Sequence, residues 1–176
     1  VNGADQTQQF KIVPDPRAEA SVADMQEQHD FVSEINATVD KAHQSIKKIR
    51  KINDQLDAFT KQYKDDARTK DLVGKAKKMK EKFGEVEKAL YQTKNRSGQD
   101  PLNFPIRLTN KLGHVASLAS YDDFRPTDQD VAVKNELTTK IYAQLKTFDE
   151  LIDTEIGAFN DEFNALKLKY LFVEEE

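Results

Sequence analysis

Neither proline nor glycine interrupts residues 21–63, and one hydrophobic period runs through all of them. Met25, Val32, Val39 and Ile46 fall on one line at intervals of seven; Ile35, Ala42, Ile49, Leu56 and Tyr63 fall on the other. Alternating spacings of three and four place both lines on one seam of a helix packed along others. Phe31, Ile52 and Phe59 lie beside the seam and widen it, so this helix is expected to touch at least two neighbours. Ser21 with Asp24 three residues later supplies a variant of the capping box at its start. At 1.5 Å per residue the rod would be roughly 60 Å long. The remaining chain must lie along it.

Ahead of the rod, residues 9–13 (Gln-Phe-Lys-Ile-Val) alternate as a short strand that Pro14-Asp15-Pro16 ends. A strand without a partner is not stable in water, so it reads as the remnant of an upstream β-domain or as a leader without structure. Asn2-Gly3 is a turn signal. Gln28, Asn53 and Thr60 take seam positions where apolar residues are expected, which suits register specification. Lys64-Asp65-Asp66 breaks the pattern, and a second helix is expected over residues 66–93. Leu72, Ala76, Met79, Phe83, Val86 and Leu90 form its buried line. Gly74 and Gly84 weaken that helix, and close approach of a neighbour would compensate.

Residues 94–104 are rich in breakers. Asn103 then caps a short helix with Pro105 in its first turn, and Ile106, Leu108, Leu112, Val115 and Leu118 supply its apolar face. After a loop over 121–126, Thr127 with Asp130 opens a last long helix to about Tyr170. Val133, Leu137, Ile141, Leu145, Phe148, Ile152, Ile156, Phe159, Phe163 and Leu166 mark its buried side, and Glu174, Glu175 and Glu176 form an acidic tail. The first and last helices match in length, and the two middle ones together match either. The expected fold is all-α: a long antiparallel three-helix bundle with a broken middle helix over residues 17–173, preceded by the short orphan strand and linker of residues 1–16. A four-helix up-down bundle is the alternative if the short helix reverses direction.

The chemistry is sparse. With no Cys among 176 residues there is neither a disulfide framework nor a thiolate. Nucleophile elbows, phosphate-cradling Gly loops and His-Glu-x-x-His motifs are absent. Asp40 and His43 share a helical face, but a di-iron bundle needs Glu-x-x-His pairs on several helices, and His29 and His114 stand alone. No cofactor is expected. The pairs Asp122-Asp123 and Asp149-Glu150 read as solvated, with nothing to separate their pKa values. A formal charge of -4 argues against general nucleic-acid binding, and no apolar run is long enough to span a membrane. A basic region followed by an apolar core is also lacking, so no signal peptide is expected within these residues. Two candidate surfaces remain. Arg107, Asn110, Lys111 and His114 cluster on the polar side of the short helix; Lys75, Lys78 and Lys82 belong to a basic run that suits an anionic partner or a face neutralised by acidic neighbours.

Residues 9–17, Gln-Phe-Lys-Ile-Val-Pro-Asp-Pro-Arg, resemble the junction leading into the C-terminal helical region of large bacterial BNR/Asp-box, sortilin-like β-propeller proteins. Residues 100–118, with Asn103-Phe104-Pro105-Ile106 and Asn110-Lys111-Leu112, are similar to that region too, as is the Pro126-Thr127 opening of the last helix. Those proteins are usually called glycosyl hydrolase-like or sialidase-like. The resemblance implies a helical tail of a larger exported protein, periplasmic or extracellular, whose partners are the upstream propeller and Ig-like domains. It carries no catalytic or sugar-binding residue onto this chain. The expected function is therefore a non-catalytic structural or interaction module, self-association or a protein partner included. The alternative is a bundle binding a small ligand or an anionic surface through its Lys-rich face.

Overall fold

A computed structural model of the chain describes Gly3 and residues 5–168. The described residues form an all-helical bundle: α1 (Val22–Tyr63), α2 (Lys70–Leu90), α3 (Leu108–Ala119), α4 (Asp128–Leu151) and α5 (Gly157–Ala165). A π-helical turn, Ile152–Ile156, joins α4 to α5. Asn2 of the N-terminal turn signal, the end of the expected last helix at Lys169 and Tyr170, residues 171–173 and the acidic tail 174–176 lie outside the described residues.

Both expected capping boxes form. Ser21 Oγ accepts from the Asp24 amide at 3.1 Å while Asp24 Oδ2 accepts from the Ser21 amide at 2.9 Å. Thr127 and Asp130 repeat the arrangement at 3.2 and 3.0 Å. Along α1, Ile35, Ala42, Ile46, Ile49, Leu56 and Tyr63 are buried, joined by Phe31 and Thr38, whereas Met25, Val32 and Val39 are half-buried. α1 packs against α2, α3 and α4, which is why its apolar face is broad.

Residues 9–13 form no strand. Phe10 and Ile12 are 86% and 85% exposed, and no other segment among the described residues offers an edge for them to pair with. The following turn is local: Asp15 accepts from the Arg17 amide and guanidinium, and its carbonyl from the Ala18 amide.

The second helix starts later than its spacing suggests. Asp66 caps a 3₁₀ turn, Ala67–Thr69, through the Arg68 amide at 2.9 Å. The buried Thr69 hydroxyl lies 2.7 Å from the Tyr63 carbonyl oxygen and 2.8 Å from that of Asp66, which ties the corner to the end of α1. Leu72, Ala76, Met79, Phe83, Val86 and Leu90 are all buried. The expected close approach at the α2 glycines is not there: a Cβ built on Gly74 or Gly84 meets nothing within 4 Å. Both are mid-helix, so alanine should lower the conformational entropy of the unfolded chain without a clash. Gly84→Ala is expected to raise stability by about 0.5–1 kcal/mol, a midpoint shift of about 1–4 °C in a thermal melt. An unchanged or lower midpoint would show that the small residue has a packing role.

The third helix is also displaced. Asp100, not Asn103, organises the loop, accepting from the Ser97 amide at 3.0 Å above the 3₁₀ turn Asp100–Leu102. Pro105 precedes the helix instead of entering its first turn, because Gln92 Nε2 donates to the Pro105 carbonyl at 2.8 Å and holds that stretch out. Thr109 Oγ1 donates to the Leu90 carbonyl at 2.9 Å and sets the start of α3 against the end of α2. Leu112, Val115, Ala116 and Ala119 face the core; Ile106 and Leu118, expected there, are 39% and 54% exposed. In α4, Val133 is likewise 44% exposed, while Lys134 places its ammonium over the Phe31 ring and pairs with Glu34. The expected single last helix is interrupted at the π-helical turn, where Thr154 Oγ1 donates to the Glu150 carbonyl.

Candidate functional site

On α3, Arg107 holds the N-cap position and Asn110, Lys111 and His114 follow at helical spacing, all exposed. They share a face, and neither of the two clefts described below includes them. Glu136 of α4 has its carboxyl held below the usual range, first by the hydrogen bond from Lys140 and more weakly by the charge of Lys111.

The basic run on α2 is dispersed among partners. Lys75 pairs with Glu162 of α5, Lys82 with Glu155 of the π-helical turn, and Lys80 with Asp57 of α1. Lys78 is exposed, with no carboxylate within 4 Å among the described residues. Of the three expected surface lysines, Lys75 and Lys82 are thus each paired with a carboxylate.

A polar cleft of about 580 Å³ opens between the chain entering α1 and the α3–α4 loop, lined by Arg17, Glu19, Asp24, Asp122, Asp123 and Arg125 among others. Gln28 reaches from the seam of α1 to the same loop, donating to the Ala119 carbonyl at 2.6 Å and to that of Asp122. Gln28 is thus a tie between helix and loop. Asn53, the second polar seam residue, turns its Oδ1 away from solvent with no donor in reach among the described residues. Asp24 is engaged in capping; the Ser21 hydroxyl and amide, aided by Arg125, hold it below the ordinary carboxyl range. Asp122 and Asp123 are exposed. A general acid at neutral pH needs a raised pKa, and the shift at Asp24 runs the other way.

An apolar groove of about 340 Å³ lies between the C-terminal part of α1 and α5, lined by Ile52, Leu56, Phe59, Tyr63, Phe159 and Phe163 with neighbours including Met79 and Ile156. Phe59 meets Phe159 edge-on at 5.0 Å between centroids, and Tyr63 at 5.0 Å. These residues read from spacing as continuous seam. The groove had no signal there, because the 4-4-3 spacing of Leu137, Ile141, Leu145 and Phe148 repeats unchanged through Ile152, Ile156 and Phe159 across the π-helical turn.

Among the described residues the other shifted carboxyls are Asp15, Asp66 and Asp100, all lowered by nearby hydrogen-bond donors: the Arg17 side chain and amide, the Arg68 side chain and amide, and the amides of Arg96 and Ser97 with the Ser97 hydroxyl. Each such group favours the folded state above the ordinary carboxyl pKa and loses that contribution as pH falls through its lowered value. No group of three His, Asp or Glu side chains able to hold a metal ion occurs among the described residues, and none of their helices is long and apolar enough to cross a membrane. No family model matches the chain, and neither does any curated protein or solved structure.

Proposed function

We propose that the chain is a non-catalytic helical module that supports or oligomerises a larger exported protein carrying a sortilin-like β-propeller, the reading to which its resemblance points. The observation that carries the structural role is the use made of charged side chains. Arg50, Lys75, Lys80, Lys82 and Lys134 each pair with a carboxylate on another element, and the carboxyls shifted among the described residues are all lowered, which favours the anion. Single surface pairs are worth little, so their role is to set register between helices more than to add stability.

The architecture belonging to this reading is the three-helix antiparallel bundle with α2 and α3 as its broken middle member. Arg50 and Asp57 advance along α1 while their partners Glu87 and Lys80 recede along α2. Glu34 and Lys41 of α1 advance together with Lys134 and Tyr142 of α4. Leu90 meets the start of α3 and Gln28 its end, which supports α3 continuing the sense of α2 over a four-helix up-down path. The competing reading, an anionic ligand on the Lys-rich face, is disfavoured by the pairing of Lys75 and Lys82.

Glycoside hydrolysis usually needs two carboxyl groups about 5 to 10 Å apart with one pKa raised. The purified chain should therefore not turn over chromogenic glycosides, sialosides included. Turnover that survives purification and falls in a combined Asp122→Ala and Asp123→Ala variant would overturn the non-catalytic reading and move attention to the polar cleft.

A further inference from the structure

We propose that the end of the bundle built from the start of α1, the last turn of α3 and the α3–α4 loop docks a partner protein whose surface offers an apolar centre flanked by Lys and Arg. The inference deepens the interaction role proposed above and rests on it. Exposed apolar side chains scattered singly are ordinary on a protein surface, whereas a gathering of them marks a contact. Val22 of α1 is 69% exposed and Tyr121 of the loop 89%. Leu118 and Phe124, three positions to either side of Tyr121, are exposed too. The elements that carry them are joined at this end. Gln28 of α1 bonds the Ala119 and Asp122 carbonyls, and Arg17 and Asp24 line one cleft with Asp122 and Arg125.

Backbone order makes Tyr121 an anchor. The two carbonyls that Gln28 holds flank it, its amide donates to the Leu118 carbonyl at 3.2 Å, and the Phe124 amide donates to that of Asp122 at 3.1 Å. A ring presented by a backbone already fixed loses little further entropy on binding, and tyrosine is among the residues that dominate interface energies. Charge selects the occupant. Residues 17–30 and 119–130 carry eight carboxyl groups against two guanidinium groups, a formal charge of -6, although the whole chain has only -4. Glu19, Glu27, Asp122, Asp123 and Asp128 have no cation within 4 Å among the described residues, unlike the carboxylates that pair with Arg50, Lys80 and Lys134. The same end of a second copy would be repelled, as would an anionic membrane or a nucleic acid. A basic protein surface with an apolar centre matches both the rings and the charge.

The probe is an amphipathic helical peptide made only of Leu and Lys, titrated at low salt into the full isotope-labelled chain, with a peptide of the same pattern in Leu and Glu as the control. Only the Leu and Lys peptide should bind, and amide shifts should move within residues 17–28 and 118–128. Tyr121→Ser with Phe124→Ser should weaken binding at least about tenfold, the loss expected of aromatic anchors in an interface. Asp122→Asn with Asp123→Asn should weaken it less and flatten its salt dependence, as rim charges do. All four side chains are exposed, so the thermal midpoints of both variants should match that of the parent chain. Absence of binding, equal binding of the Leu and Glu peptide, binding that the two serines leave unchanged, or shifts centred on the groove between α1 and α5 would overturn the proposal. Any of these found together with no glycoside turnover would remove this surface and leave the non-catalytic reading standing. A chain that sediments alone as a dimer until the two serines are introduced would give the surface to a second copy and overturn the proposal as well.

Discussion

Ile49→Asp should destabilise the fold by about 3 kcal/mol or more, against a total stability of about 5–15 kcal/mol for a domain of this kind. Ile49 is fully buried at the middle of α1, inside the main core cluster with Ile46, Phe83 and Ile141. A carboxylate there has no cation to pair with on the seam and must either stay charged without water or take up a proton. Lys78→Asp provides the contrast, because Lys78 is exposed and no carboxylate within 4 Å depends on it among the described residues. Its effect should stay below about 0.5 kcal/mol. Urea titrations of the two variants beside the parent chain measure both numbers. Similar losses in the two would mean that the buried and solvated faces of these helices have been exchanged.

Phe83→Ala should cost about 3–5 kcal/mol, the range for deleting a fully buried aromatic ring and leaving a cavity. Phe83 of α2 and Phe148 of α4 are both almost completely out of solvent, and their rings meet edge-to-face at 6.0 Å between centroids. This contact joins the two helices where neither a cap nor a loop connects them. A double-mutant cycle with Phe83→Leu and Phe148→Leu keeps the core filled and isolates the ring contact. It should return a coupling of about 0.5–1.5 kcal/mol. Strict additivity of the two leucine variants would show that the rings do not touch in solution.

Residues whose partners lie within four positions were legible in the sequence. Ser21 with Asp24 and Thr127 with Asp130 close their capping boxes within one turn, so spelling alone located both helix starts. The buried line of α2, from Leu72 to Leu90, follows from a 3.6-residue period that nothing in the tertiary structure had to impose. The same locality explains the false strand. Residues 9–13 alternate correctly, but a strand is completed only by a partner, and the described chain offers none.

Tertiary structure decided whatever depends on distant groups. Gln92 reaching Pro105 and Thr109 reaching Leu90 moved the start of α3 past the Asn103 that local capping rules favour. Gln28, a blemish in a hydrophobic period, became the anchor of a loop more than ninety positions away. The lysines of α2 look like one basic patch along the sequence, yet helical geometry sends Lys75, Lys80 and Lys82 to carboxylates on different elements. The groove beside Phe59 and Phe163 arises where α5 follows the π-helical turn, and a hydrophobic period cannot show it because the period is the same on both sides. Periodicity specifies which face of a helix avoids water; which neighbour covers that face, and how completely, is set by packing between segments far apart in the chain.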